Sequence, residues 1–373
     1  MKKSLYFDSP LYSFGGIPNA ARAYATSLSR FYKIMLSDTG YSHKYGKRFR
    51  SMYNVIDLDL DNFVYIKNIK PHTWSNIQHK NFFGFHVLEG DRLPSQQLQG
   101  INTSGVRCVF VPSEYVKNMF VLSGVNKPII VIPHIIGNLY KPVRKRPFSI
   151  KINFLFAAAI YGLSKLDRKG LDIVLNVWKN FSRDKRLNLT IKIQTNFAKK
   201  ANEELDRTFN LMDYLFELYG GPLPSNIKII EGDVSDYEML SIYGETDCIL
   251  YPSRGEGFGL IPFEGLACGV PCIATEGLGM DEYLNVLEGG YLRIKTLGLI
   301  PGEKRYPYFD GSNQSNWVEP NQIDLIKQIE SFLSHQKKIK KDALIASKVI
   351  WEKFNSKIIG TTLRDTIESY SMY

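Results

Sequence analysis

The sequence predicts an α/β protein built from two doubly wound, Rossmann-like domains that face a cleft. Short apolar runs alternate with helical patterns along most of the chain, and this alternation is typical of parallel sheets covered by helices. The alternation occurs as two series, separated at 140–149 by a basic stretch that contains two prolines. With 373 residues, the chain suits two domains of about 150–200 residues each better than a single core.

The first series opens with one complete β–α unit. A strand at 2–7 is followed by a glycine-containing loop at 13–18 and an alanine-rich helix over 19–31, which is the order that a doubly wound sheet requires. Four further strands and one helix are predicted at 64–66, 82–87, 106–111, 129–132 and 113–123, respectively. We expect these elements to form an N-terminal domain over 1–145.

The second series repeats the alternation. Strands are predicted at 153–159, 189–194, 227–230, 248–251 and 271–275, and helices at 170–181, 203–218, 237–243 and 262–268. These elements predict a C-terminal domain over 146–345. A mostly helical pattern begins at 322 and continues through 346–373, and we expect this last part to be a helical tail that can pack back on the N-terminal domain.

Composition restricts the ligands and the location of the protein. The net charge of +10 favours an anionic partner, which could be a nucleic acid, an anionic lipid or an acidic small molecule. The four cysteines include no CxxC pair and are expected to be reduced thiols. The N-terminus does not match a signal peptide, and every apolar run is shorter than the roughly 20 residues of a membrane-spanning helix. We therefore expect a cytoplasmic protein and leave open peripheral contact with a membrane.

The stretch 248–275, CILYPSRGEGFGLIPFEGLACGVPCIAT, is the most informative part of the sequence. A buried strand runs into a glycine-rich turn, and the turn opens a helix. Gly255, Gly257 and Gly259 allow the backbone to approach a ligand closely. The amide groups and partial positive charge of a helix N-terminus suit a phosphate. The pattern therefore predicts phosphate binding without a metal.

Two carboxylates, Glu256 and Glu264, stand eight residues apart in the same stretch. An acid beside a phosphate is unfavourable, but a carboxylate accepts hydrogen bonds well from two adjacent hydroxyls. One acid could hold a ribose and the other a sugar. A generic strand–turn–helix with acids at the helix start would explain a bare three-glycine turn equally well, but the full string is more specific.

The string resembles the E-x7-E signature of glycosyltransferase family 4, whose members are retaining enzymes of the two-domain GT-B type. Ser235–Asp247 is similar to the helix that precedes the strand in that family, and Gly279–Tyr283 to a later turn. Arg168-Lys169-Gly170 resembles the family's Arg-Lys-Gly, whose cations face the donor diphosphate. Fixed cations there would stabilise the charge that a leaving diphosphate gains.

The resemblance extends into the first domain. Gly15-Gly16 is similar to the family's N-terminal glycine loop, which closes over the phosphates. Val111–Ile136 resembles the end of its first domain, with Gly137 displaced by two isoleucines. Phe85–Pro94 resembles an acceptor-side segment in one branch of the family. The likeness is dense in the second domain and sparse over 35–80.

Members of this family transfer a sugar with retention of anomeric configuration and without a metal. The resemblance therefore implies a hexosyltransferase that uses a nucleotide sugar, such as a UDP- or GDP-sugar, and needs no cofactor. The acceptor would be a hydroxyl of a glycan, a lipid or a protein. No nucleic-acid partner is expected.

The resemblance also implies roles for individual residues. Glu264 would bind the ribose hydroxyls and Glu256 the donor sugar, while Gly16 would close from the other domain. The donor-binding residues would be Gly16, Arg168, Lys169, Glu256, Gly257, Phe258, Gly259, Leu260 and Glu264. The acceptor-side residues would be His86, Glu89 and Asp91, and the catalytic residues Glu256, Arg168, Lys169, His86 and Glu89. For His86, a lone histidine after an apolar run, a structural role is equally expected.

Other functions stay open on the sequence. A nucleotide-sugar epimerase or a non-catalytic nucleotide-sugar binding protein could use the same fold. The basic clusters KRFR and RKR would suit a nucleic-acid-binding protein, although no motif for nucleic-acid recognition accompanies them.

Three weaker patterns predict no site. The DLDLD segment at 57–61 contains an Asp-x-Asp pattern found in metal-dependent transferases, but an exposed strand face explains it better. The segment 40–48 has the wrong glycine spacing for a phosphate-binding loop. His72, His79 and His86 recur every seven residues without a metal-ligand spacing.

Overall fold

The computed structural model of the protein describes residues 2–12, 15–39, 63–142, 151–304, 306 and 315–372. The chain divides into two compact units, which we describe separately. The first unit comprises Met1–Gly137 and Glu352–Tyr373, and the second comprises Asn138–Trp351. The DLDLD segment, the 40–48 segment, both basic clusters and most of the proline-containing linker lie outside the described residues.

The first unit contains one parallel sheet and four described α-helices. The strands are β1 Ser4–Ser9, β2 Lys33–Asp38, β3 Phe63–Asn68, β4 Phe82–Phe85, β5 Val109–Val111 and β6 Ile129–Val131. The helices are α1 Gly16–Leu28, α2 Ser95–Thr103, α3 Glu114–Leu122 and, at the end of the chain, α11 Ser356–Tyr370. The strand order is β2-β1-β3-β4-β5-β6, with every pair parallel.

Small residues allow close packing in this unit. A side chain at Gly84 on β4 would overlap the ring of Trp74, which is fully buried against Phe82. A side chain at Gly360 on α11 would overlap Ser27 on α1. The Ser27 hydroxyl instead donates to the carbonyl of Ser356 at 2.6 Å. Helix α11 therefore packs directly on α1.

The second unit contains a parallel sheet and a separate antiparallel hairpin. The sheet strands are β7 Ile152–Ala159, β8 Leu187–Gln194, β9 Ile227–Glu231, β10 Cys248–Tyr251, β11 Cys272–Thr275 and β12 Tyr291–Ile294. The hairpin strands are β13 Thr296–Pro301 and β14 Asn316–Pro320. The helices are α4 Leu171–Trp178, α5 Asn196–Glu203, α6 Leu211–Tyr219, α7 Asp236–Glu245, α8 Leu260–Ala267, α9 Asp281–Leu284 and α10 Gln322–Lys353.

The strand order of the second sheet is β12-β11-β10-β7-β8-β9. The chain winds outward from β7 through β8 and β9, then returns to β10 and winds the other way. Its switch point therefore lies between β7 and β10. Ligands of doubly wound sheets bind beyond the carboxyl ends of the strands at such a point.

The prediction of two doubly wound α/β domains is confirmed, and most predicted elements are present with small shifts of their ends. The predicted helix at 203–218 is wrong over its first half, because α5 ends at Glu203 and α6 begins only at Leu211. Asp206 has a left-handed backbone with φ of 55°, which a continuous helix cannot contain. Asn210 then caps α6 by accepting hydrogen bonds from the amides of Met212 and Asp213. Among the described helices, none is long and apolar enough to cross a membrane.

Candidate functional site

Two loops meet at the switch point of the second unit. One follows β7 and carries Arg168 and Lys169 just before α4, and the other follows β10 and leads into α8. Strands β7 and β10 are paired neighbours. The amide of Arg254 donates to the carbonyl of Arg168 at 2.7 Å. The main chain thus holds the predicted cations beside the predicted glycine turn.

Glu256 is the centre of this site. Its Oε1 accepts hydrogen bonds from Tyr251 and Ser253, each at 3.0 Å, from Arg168 at 3.3 Å and from Lys169. Its other oxygen, Oε2, makes no hydrogen bond to any residue that the structure describes. One oxygen is therefore saturated with donors, while the second can accept from a ligand.

The charges of this cluster are withdrawn from water. The side chains of Glu256, Arg168 and Lys169 are 5, 6 and 13% exposed. Burial alone would raise the pKa of Glu256, but the neighbouring Lys169 and Arg168 hold that pKa below its ordinary value. The cluster consists of one carboxylate and two cations, so it carries a net positive charge that an anionic ligand can neutralise.

The glycine turn gives the loop its shape. Of the three glycines, Gly259 has a left-handed backbone, with φ of 80°, and a side chain there would meet Met280. A side chain at Gly279 would overlap the backbone of Gly257, and the Gly279 amide donates to the carbonyl of Glu256 at 2.9 Å. The turn at Gly279 therefore packs backbone to backbone against the 255–259 loop.

Phe258 and Leu260, both predicted to bind the donor, would do so through their main-chain atoms at the start of α8. The Phe258 ring is 2% exposed and packs against Phe263 and Tyr283, so its side chain belongs to the core. Leu260 is the first residue of α8, and Gly259 is its N-cap. The amides of 257–259 thus precede the N-terminus of α8, where the helix dipole favours an anion.

Glu264 lies within α8 and is buried. Its Oε2 is 3.0 Å from the hydroxyl of Tyr243 on α7, and Tyr140 is a second neighbour. Burial raises the pKa of Glu264 to about 8. The carboxyl group is therefore protonated near neutral pH in the ligand-free protein, and can both donate and accept a hydrogen bond.

Replacing Glu264 by glutamine should flatten the pH dependence of stability. The folded pKa of about 8 exceeds the ordinary 4.5, so the folded protein holds a proton that the unfolded chain releases between these values. Its stability therefore falls as pH rises through this window, by up to about 1.4 kcal/mol per pH unit. We expect the Tm of Glu264→Gln, relative to the Tm of wild type, to increase as the pH rises from 5 to 8. The control is Glu330→Gln at an exposed position, whose curve of Tm against pH should run parallel to that of wild type. A parallel curve for Glu264→Gln would contradict a buried, neutral Glu264.

The first unit contains the residues predicted for the acceptor side. His86 follows β4, and Glu89 and Asp91 lie in the next turn, with Asp91 3.4 Å from Arg92. His86 lines a cavity with about 20 Å³ of solvent space, together with Tyr24, Asn68 and His134. This cavity lies beyond the carboxyl ends of β3, β4 and β5.

One ring nitrogen of His86 is available to accept a hydrogen bond. Its Nε2 is 2.7 Å from Oε1 of Gln97, so Nε2 carries the proton and donates. Its Nδ1 is buried and has no hydrogen-bond partner among the described residues. Burial lowers the pKa of His86 to about 4, so the ring is neutral near pH 7. Nδ1 can therefore accept a hydrogen bond from a ligand hydroxyl, and a purely structural role would leave it unused.

The predicted glycine loop of the first unit precedes α1. Gly15 is the N-cap of this helix, with φ of 131°, and Gly16 is its first residue. Ser13 and Phe14 lie outside the described residues. The expected closure of Gly16 over a ligand stays a prediction.

Sequence reasoning missed several side chains of the site. Tyr251 and Ser253 donate to Glu256, and both stand directly before the glycine turn, where polar residues ending a buried strand could have indicated them. Tyr306 accepts a hydrogen bond from Arg168, but it lies 138 residues away along the chain, and no sequence signal indicates it. In the described ranges, no cluster of metal-ligating side chains occurs.

Comparison with known proteins relates this site to one enzyme class. Residues 223–295 match the family model described as glycosyl transferases group 1. The matched segment contains the glycine turn with Glu256 and Glu264, but not Arg168 or Lys169. The chain is 23% identical over 216 residues to the putative glycosyltransferase 45 of Sulfolobus islandicus filamentous virus, covering 57% of this chain and 53% of that protein. The chain spans about half the length of the two curated relatives that it matches over 216 residues.

Solved structures resemble the whole chain. A glycosyltransferase from Rickettsia africae has a TM-score of 0.66 at 14% identity, covering 99% of this chain and 98% of its own. Anabaena HepE in complex with UDP and glucose has a TM-score of 0.63 at 14% identity, covering 98% and 100%. The protein therefore has the GT-B fold, as predicted, and part of its second unit matches the model of glycosyl transferases group 1.

Proposed function

We propose that this protein is a retaining, metal-independent glycosyltransferase of family 4 that takes a sugar from a nucleotide sugar to a hydroxyl acceptor. The observation that carries the proposal is the buried cluster of Glu256, Arg168 and Lys169 at the switch point, beside the N-terminus of α8. Such a cluster offers cations and amides to a diphosphate and a carboxylate oxygen to a sugar.

The donor is proposed to bind across this cluster. Arg168, Lys169 and the amides of 257–259 would hold the diphosphate, and Glu256 Oε2 would accept from hydroxyls of the sugar. The buried carboxyl of Glu264 would meet the ribose hydroxyls. Anabaena HepE, which has the same fold, was solved with UDP and glucose, and this supports a UDP-sugar as a donor to test first.

We infer a front-side reaction rather than a double displacement. The bond between the anomeric carbon and the diphosphate oxygen breaks, the acceptor oxygen bonds to the same face of that carbon, and its proton passes to the departing diphosphate. A double displacement would need a carboxylate nucleophile. Glu256 suits that role poorly, because Lys169 and Arg168 hold its pKa below the ordinary value and so make the carboxylate a weaker nucleophile. Glu264 is held neutral by burial.

The acceptor is proposed to be a hydroxyl of a glycan, a lipid or a protein, recognised by the first unit. His86 supports this with a neutral imidazole whose Nδ1 can accept from a hydroxyl. Glu89 and Asp91 belong to the proposal as further acceptor-side groups. Peripheral membrane contact would fit a lipid acceptor.

Screening donors tests the proposal at its first step. We expect one class among UDP-, GDP- and ADP-sugars to raise the Tm, because a ligand that binds only the folded state stabilises it. We further expect EDTA to leave both this shift and donor turnover unchanged, since Arg168 and Lys169 supply the charge that a metal would. No shift with any donor, or turnover that is lost with EDTA and restored by Mg²⁺ or Mn²⁺, would contradict the proposal.

A further inference from the structure

The hairpin β13–β14 lies beyond the segment that matches the family model, which ends at residue 295. It interrupts the doubly wound order between β12 and α10, and in the part of the chain that the structure describes its two strands pair with each other rather than with the sheet. The hairpin therefore adds nothing to the sheet of the second unit. Its contacts point to a different use.

The hairpin is fastened to the loop that carries Glu256. The amide of Val318 donates to the carbonyl of Arg254 at 3.0 Å. The Arg254 guanidinium, 2% exposed, donates to Glu319 at 2.7 and 3.1 Å and to Asp172 on α4 at 2.7 and 2.8 Å. Two bidentate pairs on one buried arginine fix the hairpin, the 252–259 loop and the start of α4 as one piece.

Tyr306, on the connection between the hairpin strands, reaches Arg168. Its hydroxyl accepts a hydrogen bond from Arg168 Nε at 2.6 Å. The ring is buried and packs edge-on against Trp317 of β14, with centroids 5.5 Å apart, and against Tyr161 at 4.5 Å. These two aromatic contacts hold the ring of Tyr306, and with it the position of its hydroxyl.

The bond at Nε sets the direction of the whole guanidinium. This group is planar with its donors in a rigid fork, so fixing Nε also fixes where the terminal nitrogens point. Arg168 Nη1 then donates to the carbonyl of Gly255 and to Glu256. A diphosphate that arrives and competes for Nη1 would leave the Nε bond intact.

We propose that Tyr306 is a positioning residue for the transfer reaction, carried by the β13–β14 hairpin and acting through Arg168. It keeps the guanidinium directed at the leaving diphosphate when the diphosphate takes the place of Glu256 as the hydrogen-bond acceptor of Arg168. This inference rests on the proposed function, because it assigns Arg168 to the leaving group.

The test is Tyr306→Phe, which keeps the ring and removes only the acceptor oxygen. A hydrogen bond that involves a charged group is stronger than one between neutral groups, so its loss at Arg168 should weaken stabilisation of the leaving diphosphate. We expect kcat to fall at least about tenfold. Free UDP is the leaving group after the bond has broken and carries the negative charge gained in that step, so its affinity should fall similarly. The donor KM should change by less than about twofold. Tyr214→Phe, which removes a hydroxyl bonded to the Ser164 carbonyl at 2.9 Å, is the matched control and should leave kcat unchanged.

A double-mutant cycle separates positioning from mere structure. Lysine has no Nε equivalent, so in the Arg168→Lys background Tyr306→Phe should change kcat and UDP affinity by less than about twofold. Wild-type kcat and UDP affinity in Tyr306→Phe, or the same loss in both backgrounds, would overturn the inference. If wild type binds UDP but transfers no sugar, the proposed function fails. The UDP affinities of the double-mutant cycle then still show whether Tyr306 positions Arg168 for a bound diphosphate. If wild type binds none of UDP, GDP and ADP, both the proposed function and the role of Tyr306 are wrong.

Discussion

Replacing Lys169 by methionine is expected to lower kcat about a thousandfold. Removing one preorganised donor from a developing oxyanion costs roughly two to three orders of magnitude in rate, and Lys169 contributes a full charge in a site that is largely closed to water. Methionine keeps most of the length of the side chain, so the space beside Tyr251 stays filled. Arg168 remains beside Glu256, and the fold should survive.

Lys338→Met is the matched control for this experiment. Lys338 is 79% exposed and pairs with Asp342 on α10, so it undergoes the same chemical change outside the site. Its kcat should equal that of wild type. A Lys169→Met enzyme that keeps more than about a tenth of wild-type kcat would remove Lys169 from the leaving-group machinery.

Glu256→Gln is expected to destabilise the second unit and to remove most of the transfer activity. Breaking a buried charge cluster by neutralising one partner costs about 3–5 kcal/mol, because the other charges stay buried without compensation. Here Arg168 and Lys169 would face each other across an uncharged amide. Chemical denaturation should therefore give a lower midpoint with an unchanged slope.

The double variant Glu256→Gln/Lys169→Met distinguishes this electrostatic origin from poor packing. It contains one buried cation where Glu256→Gln contains two, so it should recover part of the lost stability. Activity should not return, since the double variant lacks two of the groups proposed to bind the donor, Glu256 and Lys169. A double variant whose losses simply add would show that repulsion between the cations is not the cause.

The sequence predicted the parts of the site that are close together along the chain. Gly259 needs a left-handed backbone, and the helix start follows it directly, so the order of strand, turn and α8 could be inferred from one continuous string. The alternation of apolar runs predicted both sheets for a similar reason, since it depends on local periodicity.

Contacts between distant segments could not be predicted in this way. The bond of Tyr306 to Arg168 and the two acid partners of Arg254 join residues 65 to 138 positions apart. The neutral state of Glu264 depends on burial of its carboxyl group in the fold, which no spacing indicates. The non-helical stretch between α5 and α6 was missed because the helical pattern of the sequence continues through it, whereas the left-handed backbone at Asp206 and the cap at Asn210 interrupt the helix.

Product analysis tests the central claim most directly. The protein would be incubated with the nucleotide sugar selected by the donor screen and a set of hydroxyl acceptors, and the products followed by mass spectrometry and proton NMR. We expect one nucleoside diphosphate for every new glycoside, with the anomeric configuration of the donor. An epimerised donor with no diphosphate released, a glycoside of inverted configuration, or an unchanged donor with every acceptor would contradict the account.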